Sequence, residues 1–133
     1  MKVKSGIIVN GLNTIIELSE KPMPVSLAAK LLRLTDDLTK ENEIIEKQRR
    51  MIIEKYGDKN ENNELIVDDN GNVSFKETQN AVNAQNEFNE LANLEIDIID
   101  RNITEKELIE GNIQLSISQL RILKNFLHND DEE

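Results

Sequence analysis

From Leu27 to Tyr56 apolar residues recur through Leu27, Leu31, Leu34, Leu38, Ile45 and Ile52, with charged residues between them. Those spacings put the side chains on one face of a single long α-helix. Pro22 and Pro24 separate it from what precedes, because each lacks a backbone donor and biases the residue before it away from helical angles. Ser26 is the expected N-cap and Gly57 the expected stop. Around Leu27, Ala28, Ala29, Leu31, Leu32, Leu34 and Leu38 the apolar arc is wide, which calls for more than one packing neighbour. Beyond Leu38 the stripe narrows to Ile45 and Ile52, supplemented by Ile44 and Met51, and needs one narrow partner. Asp36, Glu43 and Glu46 each precede a base by four residues, a spacing that supports a helix. About 30 residues at about 1.5 Å each give roughly 45 Å, against about 36 Å for the diameter of a compact globule of this chain length. The helix must therefore protrude or be flanked.

Other elements follow from the same reasoning. Ile8, Leu12, Ile15, Ile16 and Leu18 share a helical face, although Ile7-Ile8-Val9 is also compatible with a strand. In Leu65–Phe75, β-branched residues stand on both sides of Asn70-Gly71, the pair that best tolerates the positive φ of a type I′ hairpin turn. With those two residues as the loop, Ile66 faces Phe75 and Asp68 faces Val73. Ala81, Ala84, Phe88 and Leu91 then predict a helix over 76–93 that returns along the long one.

The remainder resolves into short pieces. Glu95–Ile99 and Asn112–Leu115 alternate as strands with one wet face would. Thr104-Glu105-Lys106-Glu107 and Ser116-Ile117-Ser118-Gln119 are capping-box patterns opening two helices, the first closed by Gly111. The second, with Leu120, Ile122, Leu123, Phe126 and Leu127, is expected to dock on the Leu27–Leu38 face. The fold class is α+β, mainly α: a long antiparallel two-helix arm tipped by a β-hairpin, with a small cap of short strands and helices. One domain is expected over 1–133, with the arm at 27–94, the cap at 1–26 and 95–128, and an acidic tail at 129–133.

Composition changes this picture little. With three Phe, one Tyr and no Trp, the core must be built from Leu, Ile and Val. The formal charge of -10 argues against a nucleic-acid backbone or an anionic membrane as partner, since both attract the opposite sign. No cysteine means no disulfide and no thiolate chemistry, which fits a reducing compartment. The N-terminal residues reach Asn10, Gly11, Asn13 and Glu17 too soon for a signal-peptide core, and no apolar run approaches a membrane span. The expectation is a soluble, cytoplasmic protein.

Candidate chemistry is sparse. Asp68, Asn70, Gly71, Val73 and Glu77 fit several positions of an EF-hand calcium loop, but Ile66 occupies the first, where a carboxylate is required. His128 is the sole histidine, placed as a cationic helix terminus that could instead pair with Asp130 or Asp131. Adjacent carboxylates such as Asp36-Asp37 point about 100° apart on a helix and do not converge. Lys47-Gln48-Arg49-Arg50 has no aromatic interleaving and lies among Glu43, Glu46 and Glu54, unlike a nucleic-acid site. No catalytic, metal or cofactor residues are assigned, and the chain is expected not to be an enzyme.

The order of these motifs resembles a family of small, uncharacterised acidic proteins encoded by tailed phages and prophages of Gram-positive bacteria. The residues carrying the likeness are Met23-Pro24-Val25-Ser26-Leu27-Ala28-Ala29-Lys30, then Arg50 and Tyr56 late in the helix, and the Asn-Gly hairpin. It continues through Glu90-Leu91 before Glu95-Ile96-Asp97 and the Ser-started last helix. The resemblance implies phage origin, and with it the bacterial host cytoplasm, but no known activity; seventeen Asn and seventeen Ile agree with an AT-rich coding source. The functional expectation is protein–protein binding, in virion assembly or in modulating a host factor, through the hairpin tip and the distal arm, especially Ile66, Val73 and Phe75. An acidic mimic of DNA that inhibits a nucleic-acid enzyme is the alternative. The seven-residue seam can also pair between chains, giving a homo-oligomer.

Overall fold

A computed structural model describes residues 1–129. Among the described residues the protein is mainly helical, with one two-stranded antiparallel sheet. Its elements are β1 (Lys2–Lys4), α1 (Ser5–Ser19), α2 (Val25–Tyr56), α3 (Thr78–Asn93), β2 (Glu95–Asp97), α4 (Glu105–Glu110) and α5 (Ile117–Leu123), followed by a 3-10 turn at Lys124–Phe126.

The long helix is the spine. Its 32 residues extend about 48 Å at the standard rise. It starts two residues before the expected position: Pro24, which has no N–H to satisfy, takes the N-cap place and accepts from Ala28 N–H at 3.0 Å. Leu27, Leu31, Leu34, Leu38 and Ile45 are buried along one stripe, as their spacing requires. The i,i+4 charge pairs along α2 do not close to ion-pair distance; among the described residues that spacing pairs Lys106 with Glu110, at 3.9 Å. Exposed long side chains gain too little from pairing to be held together.

Two shorter helices flank the spine. α1 begins beside Ile45 and ends beside Leu31, running back along the proximal half of α2. α3 runs back along the distal half, bringing Glu87 to Lys55, Phe88 to Arg49 and Leu91 towards Ile45. The start of α1 meets the end of α3. There Ser5, fully buried, donates its N–H to Leu94 O at 2.9 Å and its hydroxyl to Leu91 O. A side chain on Gly6 would sit 3.2 Å from Ala92 O, so the small residue permits the close approach.

β1 pairs with β2 in the register Lys2↔Asp97, Val3↔Ile96, Lys4↔Glu95. Opposite charges face each other on the wet side while Val3 and Ile96 turn to the core, a cross-strand arrangement that stabilises short ladders. The expected strand at Asn112–Leu115 does not form. In its place Ile113 and Leu115 pack on the core from a segment that pairs with no strand among the described residues.

Capping follows the sequence at α4 and α5, whereas Ser26 lies inside α2 and does not cap it. Thr104 accepts from Glu107 N–H, and Ser116 with Gln119 forms a complete reciprocal box. At the end of α4 the left-handed residue is Asn112, φ 55°, one beyond Gly111. Ile113 N–H bonds to Leu108 O and Asn112 N–H to Ile109 O, the paired bonds of a Schellman ending. α5 does not dock on the Leu27–Leu38 face. α1 lies there, and α5 with its 3-10 turn packs on α1, where Phe126 and Ile122 rest against Gly11.

Polar ties fasten the 98–108 segment to α2. Lys30 Nζ reaches Glu107 at 2.7 Å and Asn102 O at 2.8 Å, and Arg101 grips Asp37. His128 does not act as a helix terminus: the 3-10 turn has ended, its N–H bonds Ile103 O, and its Nδ1 lies 2.5 Å from Asp100 Oδ2. Asp130, Asp131 and the rest of the acidic tail beyond Asn129 lie outside the described residues.

Candidate functional site

The distal end of α2 is built around Gly57. It adopts an extended conformation, φ -67° and ψ 148°, so its value is lack of bulk rather than access to positive φ. A Cβ there would lie 2.7 Å from both Ile53 O and Val73 Cγ1, and 2.8 Å from Leu65 Cδ2. The chain beyond folds back under the helix end. Asp58 N–H bonds Ser74 O, Ile66 N–H bonds Asp58 O, and Ser74 N–H bonds Ile66 O, each at 2.9 Å. The Asp58 carboxylate also accepts from Ser74 Oγ at 2.8 Å and Lys76 N–H at 2.7 Å.

The chain reverses at Asn70-Gly71, but one residue out of the expected register. Val67 faces Val73 and Ile66 faces Ser74, leaving a three-residue loop of Asp69, Asn70 and Gly71. Gly71 takes φ 82° and Asn70 does not adopt positive φ. The cause is Asp68: its carbonyl accepts from Gly71 N–H, and its Oδ1 accepts from the N–H groups of Asn70 and Asn72 at 2.9 Å. Those bonds favour a type I turn closed by a left-handed Gly over a type I′ turn.

The shifted register redistributes the three nominated residues. Ile66, Val73 and Phe75 are each half-buried, and Val73 covers the end of α2 at Gly57, while Val67 is the exposed member of the hairpin. Asp68 spends its Oδ1 on the turn, and among the described residues no group of three acidic, His or Cys side chains is placed to hold a metal.

In the last turn of the spine, Lys55 Nζ lies 3.2 Å from Glu87 and 4.9 Å from the Tyr56 ring centroid. Hydrogen bonding to Tyr56 and, after an opposing effect of burial, to Lys55 holds the Glu87 carboxyl below the usual carboxylate range. Tyr56, and after it Glu87, raise the Lys55 pKa above its usual value.

A cleft of about 350 Å³ opens where α1, α2 and α3 meet. Val9, Ile45, Phe88 and Leu91 give it apolar walls, with Asn10, Glu46, Arg49 and Gln85 among them. The Arg49 guanidinium stands 5.9 Å from the Phe88 centroid, within reach of a cation–π attraction. The basic run thus does have an aromatic neighbour, supplied by α3 rather than by its own helix. Reading the sequence element by element missed this cleft, because its walls come from three helices. Its signals were small Gly6 and Ala92 at the junction and the narrowing of the α2 stripe at Ile45.

Among the described residues no helix is long and apolar enough to cross a membrane. Comparison with protein-family models, with curated proteins and with solved structures finds no match to this chain.

Proposed function

We propose that this is a phage-encoded, non-catalytic protein that works by binding another protein, during virion assembly or in redirecting a host factor. The binding surface is the distal part of a two-helix arm tipped by the hairpin, with the three-helix cleft at its base. One observation carries the reading: large apolar side chains stay exposed along both helices and the hairpin, with Ile44 at 56%, Met51 at 54%, Val67 at 51% and Val82 at 47%. The more exposed Ile109 and Ile117 form a second apolar surface against which this one is compared. Apolar side chains on the surface of a helical arm serve recognition when a partner buries them. The acidic-mimic reading has less support, because Asp37, Glu87, Asp100 and Glu107 each face a basic side chain instead of projecting as a phosphate-like array.

The test compares partner capture by wild type, by Met51→Ser with Val67→Ser, and by Ile109→Ser with Ile117→Ser, which alters exposed residues on α4 and α5. All three proteins should give the same circular dichroism. Loss of a defined partner by the distal pair alone supports the reading. Equal retention by both pairs counts against it.

A further inference from the structure

The chain contains two Asn-Gly pairs, Asn10-Gly11 and Asn70-Gly71, in opposite structural settings. In an Asn-Gly pair the glycine backbone nitrogen can attack the side-chain amide carbon of the asparagine, because no Cβ shields the approach. We propose that Asn70 is a site of spontaneous deamidation and that Asn10 is not.

The geometry separates the two sites. Asn70 and Gly71 are both exposed, and nothing lies within 4 Å of the position a Gly71 Cβ would take. Among the described residues the Asn70 carboxamide makes no hydrogen bond, leaving it free to rotate towards the glycine nitrogen. One exposed turn bond, Gly71 N–H to Asp68 O at 3.0 Å, must open for the attack. Gly11, by contrast, is buried within α1, and Phe126 Cε2 would stand 3.0 Å from its Cβ. Its N–H belongs to the helical ladder, and helical angles keep that nitrogen away from the preceding side chain.

The step is complete with water as the only co-reactant. Gly71 nitrogen gives up its proton and bonds to Asn70 Cγ; the Cγ–Nδ2 bond breaks and the nitrogen leaves as ammonia. The resulting five-membered imide takes up water at either carbonyl and opens to aspartate or to isoaspartate. Each event adds one negative charge, taking the formal total from -10 to -11, beside Asp68 and Asp69. The isoaspartate form also adds a methylene to the main chain within the loop, disturbing the spacing by which Asp68 Oδ1 binds two backbone N–H groups.

The experiment incubates the full chain at mildly alkaline pH, native and in denaturant, and quantifies aspartate and isoaspartate at both positions by peptide mass spectrometry. In the native protein residue 70 should convert at least about tenfold faster than residue 10, the factor that about 1.4 kcal/mol of helix-opening cost supplies. In denaturant the two rates should converge. Gly71→Ala should slow conversion at residue 70 in denaturant as well, where folding cannot interfere. An unmodified Asn70 in native protein, or equal native rates at the two positions, overturns the assignment.

Discussion

Arg101 holds Asp37 through both prongs of its guanidinium, Nε to Oδ2 at 2.7 Å and Nη2 to Oδ1 at 2.9 Å. The pair joins the segment after β2 to the outside of α2, and Asp37 raises the guanidinium pKa above its usual value, against a smaller effect of burial. Lysine cannot reproduce a planar two-point grip. Arg101→Lys should lower the melting temperature although charge is kept. A double-mutant cycle with Asp37→Asn should show the two changes to be non-additive; full additivity would mean the pair is not coupled.

Gly11 sets the distance between α1 and the C-terminal helix. A Cβ would be 3.0 Å from Phe126 Cε2 and 3.2 Å from Ile122 Cγ2, so a branched side chain must push one helix off the other. Gly11→Val should cost about 1–3 kcal/mol, the usual range for overpacking, read from the midpoint of urea unfolding.

Gly57 and Gly71 separate two reasons for glycine. Gly57→Ala keeps an ordinary φ but drives a methyl into Ile53 O, Val73 and Leu65. Gly71→Ala meets no atom but strains a φ of 82°, at about 1 kcal/mol. Hydrogen exchange should therefore quicken at Asp58, Ile66 and Ser74 in the first variant and stay nearer wild type there in the second. The opposite pattern would mean that Val73 and Leu65 do not press on the helix end.

Neighbouring isoleucines should part company. Ile45 is 5% exposed in the core and Ile44 is 56% exposed. Ile45→Ala should cost about 2–5 kcal/mol, whereas Ile44→Ala should leave stability within about 0.5 kcal/mol and weaken partner capture. Unfolding curves and capture assays on the same two proteins check both halves.

Asp100 supplies a pH dependence. Its bond to His128, and then the Asn102 N–H, hold the carboxyl below its usual range, against burial. Such a group adds stability that is fully present above its unfolded pKa of about 3.9 and is lost as pH falls through the folded value. His128→Ala should move the Asp100 titration back towards that ordinary value and flatten the acid limb of stability against pH. An unchanged Asp100 titration by NMR would show that the ring is not responsible.

What could be read in advance was whatever depends on neighbours in sequence. The α2 stripe, the Thr104 and Ser116 caps and the reversal near Asn70-Gly71 all rest on local spacing, and all are present. Much of what failed needed a partner distant in the chain, whereas the start of α2 at Val25 and the hairpin register were decided locally, by Pro24 and by Asp68. Lys2-Val3-Lys4 is too short to announce a strand until Glu95-Ile96-Asp97 lies opposite with complementary charge. Asn112–Leu115 alternates correctly but finds no strand to pair with. The hairpin register turned on the Asp68 carboxylate, which bonds the backbone more favourably than a type I′ turn would allow. The cleft could not be seen from any one helix, and the preference of α5 for α1 rests on Gly11 being small enough to receive Phe126.

The β1–β2 ladder has a bearing on how the molecule is made. Met1 nitrogen donates to Ile98 O across 97 positions, so the residues before α1 are synthesised long before their partners. Closing so large a loop costs chain entropy, and the intervening helices lower that cost by shortening the path between the two ends. During synthesis α1 and α2 can assemble as a pair while Val3 stays uncovered. The ladder is then a late fastening, and a ribosome paused before residue 95 holds a chain that can be helical but is not yet sewn shut.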